Sequence, residues 1–293
     1  MRSIKKKIIL LSILLIANFF VWSAVYYYSQ EEFTKVCFLD VGQGSAVFIK
    51  TEKNQQILID GGPDQKILEK LSRQMPFWDH TIDLIILTHS QKDHIYGLFE
   101  VLKNYQVKNI LWTGATIDTS LFKQWQNLIK EEGANVKIAD QGLKVYLTDN
   151  AYLAILWPPQ NFLKNIKEIN DTSIVSKFYS YQDTMLFTGD ITSEVEYKLI
   201  DQRIDLDSDI LQIPHHGSKY SSSDPFLLIV SPSLAIISAG KDNKYKFPHQ
   251  EVLERLKKYD IKVLSTINEG DICLIQKKKK PFSLLNPTEL KED

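Results

Sequence analysis

Cysteine is scarce. Only Cys37 and Cys273 occur in 293 residues, which excludes a disulfide framework and a four-thiolate zinc site. Both lie in apolar, strand-like segments near the two ends of the body. They can be two buried thiols or, in an oxidising compartment, a bridge between the first and last strands. Net charge is lacking as well. With 35 basic residues against 36 acidic ones, the chain has no general electrostatic footprint for nucleic acid, so any such contact has to come from a local patch. No short repeat and no long linker divides the sequence. A composition of 44% hydrophobic and 24% charged residues excludes disorder, collagen-like and coiled-coil architectures.

The first thirty residues contain no acidic side chain, which leaves the remaining body mildly acidic. Arg2, Lys5, Lys6 and Lys7 precede an apolar run from Ile8 to about Tyr28, broken only by Ser12, Asn18 and Ser23. At about 1.5 Å per residue this run can cross a bilayer. A cleaved secretory signal is the competing reading. It fits less well, because the best cut, after Ala24, has bulky Trp22 where a small residue is wanted. Trp22 and the Tyr26 to Tyr28 cluster have the character of an interfacial aromatic belt. The expectation is therefore two parts: residues 1–30 as a transmembrane signal anchor, and residues 31–293 as a single domain. Basic residues at the start keep the N-terminus in the cytoplasm and place the domain on the outer face of the cell membrane.

Beyond residue 34, short strands alternate with helices. Strands are expected over Val36–Asp40, Ala46–Lys50, Gln56–Asp60, Leu84–Leu87, Asn109–Trp112, Tyr152–Trp157, Ile174–Phe178, Thr184–Phe187, Ile210–Ile213, Leu234–Ser238, Lys262–Ser265 and Asp271–Gln276. Helices are expected over Asp64–Gln74, Ile95–Asn104, Ser120–Glu132, Ser193–Asp201, Asp224–Val230 and His249–Tyr259. The fold class is α/β, with layered sheets and helices outside. The Lys277 to Lys280 run and the acidic tail look like a solvated end.

Polar residues collect where apolar strands stop. Leu84–Leu87 runs into Thr88-His89-Ser90-Gln91-Lys92-Asp93-His94, a turn on which two histidines and an aspartate can converge on a cation. Gln56–Ile59 ends in Asp60-Gly61-Gly62, and Thr184–Phe187 leads through Thr188-Gly189 to Asp190. Ile210–Ile213 ends in Pro214-His215-His216-Gly217-Ser218. A loop with Asn243, Tyr245, Pro248 and His249 follows Leu234–Ser238. Five of the six histidines fall in these segments, and only His80 stands apart.

In its motifs the chain resembles the metallo-β-lactamase superfamily, and within it the hydrolase domain of ComEC-type DNA-uptake proteins. Phe38-Leu39-Asp40-Val41-Gly42-Gln43-Gly44-Ser45-Ala46, Leu58-Ile59-Asp60-Gly61-Gly62, Thr88-His89 with Asp93-His94, and Asn170-Asp171-Thr172-Ser173-Ile174-Val175 carry the likeness. So do Phe187-Thr188-Gly189-Asp190, Ile213 to Ser218, and Ser238-Ala239-Gly240 onward to Pro248-His249, all in the family's order. The resemblance implies a four-layer αββα sandwich with one or two divalent metals, zinc or manganese first, at one edge between the sheets. It assigns Asp93 and His94 to one metal position, His89 to the other, and Asp190 as a bridge. One of His215 and His216 becomes a ligand, with His89 and Asp190, and the other contacts the substrate or orients a ligand. Asp60 orients a ligand, Asn170 and Lys92 lie close by, and Ser218 approaches a substrate oxygen. Two positions depart from the pattern. Gln91 replaces a His or Asp, and Phe247 replaces the first histidine of a His-Pro-His motif, so that His249 would have to substitute as a ligand.

The implied chemistry is hydrolysis of a phosphodiester, possibly in single-stranded DNA, with Asp93, His216 and Ser218 as catalytic candidates. Lys219, Lys241, Lys244 and Lys246 flank the site segments. A smaller phosphoester of the cell envelope and a non-catalytic binding domain remain alternatives.

Overall fold

The computed structural model describes residues 2–28, 33–115, 119–165 and 167–285. The proposed boundary at residues 30 and 31 and the acidic tail lie outside the described residues. Two sheets pack face to face. The first is built from β1 (Phe33–Phe38), β2 (Val47–Lys50), β3 (Gln56–Ile59), β4 (Thr81–Leu87), β5 (Gln106–Trp112) and β6 (Asn135–Ile138). The chain then enters the second sheet with β7 (Lys144–Tyr146), β8 (Ala151–Trp157), β9 (Val175–Ser180), β10 (Asp183–Phe187), β11 (Ile210–Gln212), β12 (Leu234–Ile237) and β13 (Lys262–Ser265). It returns to the first sheet with β14 (Ile272–Lys277) and β15 (Ser283–Leu284). The strand orders are β15-β14-β1-β2-β3-β4-β5-β6 and β13-β12-β11-β10-β9-β8-β7.

Side-chain alternation explains the layering. Along β3 and β4, Ile57, Ile59, Leu84 and Ile86 point into the core between the sheets, while Leu58, Ile85 and Leu87 point to the opposite face. Strands buried on both faces read as continuous apolar runs, as these do. The outer face of the first sheet is covered by α2 (Lys66–Gln74), α3 (Lys92–Asn104) and α4 (Ser120–Glu132), through Leu71, Leu98 and Trp125 among others. The second sheet is covered by α5 (Ser193–Asp201), α6 (Asp224–Val230) and α7 (Gln250–Lys258), through Leu199, Phe226 and Leu256. The order is therefore helix, sheet, sheet, helix, the expected αββα sandwich.

Pairs β3–β4, β4–β5, β10–β11, β11–β12 and β12–β13 are parallel. The C-terminal ends of parallel strands gather the loops on one edge of an open α/β sheet, where ligands bind. That edge carries the residues singled out above.

Three strands were not foreseen. All four residues of β6 are exposed, and β7 and β15 are short edge strands with exposed ends, so none has an apolar run to announce it. Helix α3 starts at Lys92 and not at Ile95, which corrects the placement of Asp93 and His94 from a turn to the first helical turn. Cys37 and Cys273 lie directly opposite each other on antiparallel β1 and β14, and they form a disulfide.

Preceding the sandwich is α1, Arg2–Tyr28. Its large apolar side chains are exposed, with Phe19, Phe20 and Trp22 at 69%, 66% and 67%. The expected membrane-spanning helix is not met within the described residues, among which no helix is long and apolar enough to cross a membrane. The helix itself runs over Arg2–Tyr28, with Lys5 to Lys7 in its first turns. The side chains of Tyr26 to Tyr28, three of the four rings of the expected aromatic belt, lie outside the described residues.

Candidate metal centre

The site starts from Asp60, which follows β3 with a left-handed backbone at φ 59° and is almost fully buried. Burial raises its pKa, and three donors offset that cost. The Thr88 N–H donates to Oδ1 at 2.8 Å, and the Thr88 hydroxyl to Oδ2 at 2.7 Å. His94 Nδ1 lies 2.7 Å from Oδ2. An Nδ1–H donated to a carboxylate leaves the Nε2 of His94 aimed into the centre.

His94 is held there by the start of α3. The His94 carbonyl accepts from Gly61 N–H at 2.7 Å and the Gly62 carbonyl from Gly97 N–H at 2.9 Å. A Cβ on Gly97 would lie 1.9 Å from the Gly61 carbonyl oxygen, so only glycine allows this approach of helix to loop. Asp93 and His94 are thereby pinned next to the ends of β3 and β4.

The second sheet supplies the rest. Asp190 follows Gly189, which has φ +53° and whose added Cβ would meet the Ser173 Cβ at 2.8 Å. The Asp190 N–H donates to Ser173 Oγ at 3.0 Å. After β11 the chain places His215 and His216 in successive left-handed conformations, φ 50° and 55°. Such non-glycine residues cost about 1–3 kcal/mol each and persist where the surroundings impose them. His216 Nδ1 lies 2.7 Å from the carbonyl oxygen of Ser238, at the end of β12, which again leaves Nε2 free to point inward.

Asp93, His94, Asp190 and His216 thus present one ligand atom each within 4.8 Å of one another. His94 Nε2 is 3.2 Å from Asp190 Oδ1, and His216 Nε2 is 3.3 Å from Asp190 Oδ2 and 3.4 Å from Asp93 Oδ2. Yet His94 Nε2, His216 Nε2 and Asp190 Oδ2 are buried without a hydrogen-bond partner. Buried polar atoms are rarely left so, and atoms that converge without bonding one another suit a divalent cation among them. The donor set, two imidazoles and two carboxylates, fits zinc, manganese or iron.

Electrostatics agree with that geometry. Burial opposes charge on His216, but Asp190 and Asp93 outweigh it and push its pKa up to about 9. His94 is likewise raised well above 6.5, against burial, by Asp190 and Asp60. Burial works against ionisation of Asp93 as well, yet His216 and His94 lower it to about 2. Carboxylates that draw both buried imidazoles toward their charged forms mark a place that favours a cation.

His89 stands next to this group. Its ring centroid is 4.2 Å from that of His94, its Nδ1 is 3.1 Å from Thr88 Oγ1, and its Nε2 is buried without a partner. Burial, followed by the charge of His94, lowers its pKa to about 3, so it is a neutral imidazole. Gln91 lies beside it, at the N-cap of α3.

The remaining expectations fall elsewhere. His215 is not in the four-residue group. Its Nε2 is 3.4 Å from Asn170 Nδ2, and its ring is 5.5 Å from that of Phe247. Of the two neighbours it is His216 that lies in the group, beside Asp93 and His94 rather than beside His89. His249 is not in the group either, because its Nδ1 accepts the Lys219 N–H at 3.1 Å. Lys92 points away, its Nζ 5.4 Å from the Tyr96 ring centroid. The Ser218 N–H donates to the His215 carbonyl at 2.8 Å and is not free for substrate. Sequence reasoning missed the Ser238 carbonyl and the positioning hydroxyls of Thr88 and Ser173. A backbone carbonyl has no signature, whereas Thr88 could have been suspected from its place before His89.

Residues 39–241 match the family profile described as "Metallo-beta-lactamase superfamily". The chain belongs to that superfamily. Within this metallo-β-lactamase family, it is 28% identical over 257 residues to ComE operon protein 3 of Bacillus subtilis, an alignment covering 81% of this chain and 32% of the relative. It is 30% identical to Recombination protein 2 of Haemophilus influenzae, covering 80% and 28%, and 29% identical to Competence protein ComA of Neisseria gonorrhoeae, covering 79% and 30%. The chain spans about a third of those relatives or less. Among solved structures, Igni18, a metallo hydrolase from Ignicoccus hospitalis, superposes with a TM-score of 0.52 at 13% identity, covering 84% of this chain and all of the other. CmlA, a diiron β-hydroxylase from Streptomyces venezuelae, gives 0.54 at 13% identity, covering 86% and 54%. These two likenesses concern the fold. The superfamily membership and the buried His and Asp group make this a metal-dependent hydrolase related to the competence proteins.

Proposed function

We propose that the chain hydrolyses phosphodiesters, with single-stranded DNA as substrate, at the centre formed by Asp93, His94, Asp190 and His216. The observation that carries this reading is the convergence of those four ligand atoms within 4.8 Å, with the inward atoms of His94, His216 and Asp190 left unbonded. Zinc or manganese, one ion in this group and a second beside His89, would supply Lewis-acid stabilisation of charge on the phosphoryl oxygens and an acidified water. The protein's own groups do the positioning. Asp60 and the Ser238 carbonyl fix the two imidazoles, Asp190 spans them, and Asp93 hydrogen-bonds the attacking water and aligns it with phosphorus. His89, a neutral imidazole with its Nε2 buried and unbonded, would hold the second ion, which would supply charge stabilisation to a non-bridging phosphate oxygen. Two relatives bear the names Recombination protein 2 and Competence protein ComA, and these favour DNA over other phosphodiesters.

The same proposal places the domain outside the cytoplasm, held to the cell membrane by α1. The exposed apolar side chains of α1 and the Cys37–Cys273 disulfide, which suits an oxidising compartment, support this location. The test is hydrolysis of single-stranded DNA by the detergent-solubilised full chain, reloaded with zinc or manganese. Turnover that Asp93→Ala abolishes is expected. Bound metal with no turnover on DNA or on a chromogenic phosphodiester overturns the proposal in favour of a binding domain.

A further inference from the structure

Phe247, which stands where a histidine was expected, is the hub of a ring cluster. Its centroid is 6.1 Å from that of His216 in the metal group and 5.1 Å from that of His249. On its outer side Tyr245 stacks at 5.4 Å and 17°, and Tyr245 is 49% exposed. A continuous ladder of rings therefore leads from the buried ligand His216 to the surface.

The loop that carries the ladder is braced in advance. The Asn243 side chain donates to the carbonyls of Gly240 at 2.9 Å and Phe247 at 2.7 Å, and accepts from Phe247 N–H at 2.9 Å. Cations accompany the rings. Lys244 Nζ lies 4.9 Å from the Tyr245 centroid, and Lys219 Nζ 5.5 Å from that of Tyr220. Lys219 is tied to the ladder through its N–H to His249. An otherwise acidic body thus concentrates aromatic faces and ammonium groups at one rim of the metal centre.

We infer that Tyr245, stacked on Phe247, is a base-binding shelf that holds an unpaired nucleobase next to the phosphodiester in the centre, with Lys219 and Lys244 on the flanking phosphates. This rests on the phosphodiesterase reading and specifies which part of the substrate the site recognises. Stacking on exposed aromatic rings beside cations is how proteins hold single strands without reading sequence, since every base offers a π-face. A paired base keeps both faces inside its own stack, so the shelf selects single strands. The two ammonium groups disfavour a cationic substituent such as a choline head group.

The test compares a single-stranded thymidine oligonucleotide with an abasic oligonucleotide of the same length, using the full chain and its Tyr245→Ala and Tyr245→Phe variants. The wild-type kcat/KM should favour the base-bearing strand by about 5- to 160-fold, the range expected for one stacked base. Tyr245→Ala should remove most of that preference through KM rather than kcat, and Tyr245→Phe should restore it. Equal cleavage of both strands by wild type, or an undiminished preference in Tyr245→Ala, overturns the shelf and leaves the hydrolase reading intact. Binding of the labelled thymidine strand to metal-free protein, followed by fluorescence anisotropy, separates the two claims. Binding that weakens with Tyr245→Ala while the metal-loaded chain never cleaves the strand keeps the shelf and sinks the hydrolase, whereas binding indifferent to that substitution sinks the shelf.

Discussion

Asp60 Oδ2 and His94 Nδ1 lie 2.7 Å apart in a fully buried pair, and this contact decides which nitrogen of His94 faces the metal centre. Asp60→Asn keeps the shape but turns one acceptor into a donor that meets other donors. Metal affinity should fall by about 10- to 100-fold, the usual effect of losing such a partner. Titration calorimetry with zinc checks this, and an unchanged affinity would show that the pair does not orient His94.

The centre should also bind metal in a pH-dependent way. His216 has a pKa of about 9 in the metal-free chain because Asp190 and Asp93 overcome the effect of burial. Metal can bind only after that proton leaves, so affinity should rise from pH 6 to about 9 and level off above it. For stability the sign is fixed by the same raised pKa. The contribution of His216 to the metal-free fold is complete below its unfolded pKa of about 6.5 and is lost as pH rises through 9. Thermal melts of metal-free and metal-loaded protein between pH 6 and 10 test this. A metal-free melting temperature that does not drop relative to the loaded form over this range would contradict it.

Glu196 sits on the second sheet's helical side, buried, with Oε2 accepting the Ser223 N–H at 2.8 Å and Oε1 accepting the Ser222 N–H. These contacts hold the segment between the His215-His216 turn and α6. Glu196→Gln should destabilise the fold by about 1–3 kcal/mol, because an amide nitrogen then faces a backbone donor. Chemical denaturation measures the loss, and zinc affinity at a temperature where the variant is folded should stay within a few-fold of wild type.

Cys37 and Cys273, separated by 236 positions, tie the first strand of the sandwich to β14. Reduction, or Cys37→Ser with Cys273→Ser, should lower stability by about 2–5 kcal/mol. Melts with and without a reductant would reveal it. Identical melts under both conditions would show that the bridge adds nothing.

Much of this architecture was legible because its causes are local. The apolar runs of β3, β4, β10, β11 and β12 are long enough to announce buried strands, and the polar residues that end them announce the loaded edge of the sandwich. What was not legible depends on contacts far apart in the chain. That α3 begins at Lys92 is set by its packing on Gly61 and Gly62, thirty residues away in sequence, and no capping side chain marks it. His215 and His216 are neighbours of the same type. Only the left-handed turn after β11 and the carbonyl of Ser238 tell them apart. His249 looked available as a ligand because the sequence does not show that the Lys219 N–H already uses its ring nitrogen. Phe247 read as a lost ligand, and its place in a ring ladder emerges only once Tyr245 and His216 are seen on either side of it.

Metal content of His216→Ala beside His215→Ala tests the central claim most directly. Each variant, folded and dialysed against zinc, is analysed by mass spectrometry for metal per chain. The account predicts that His216→Ala loses metal from the centre while His215→Ala keeps the wild-type content. Metal retained by His216→Ala and lost from His215→Ala would contradict it.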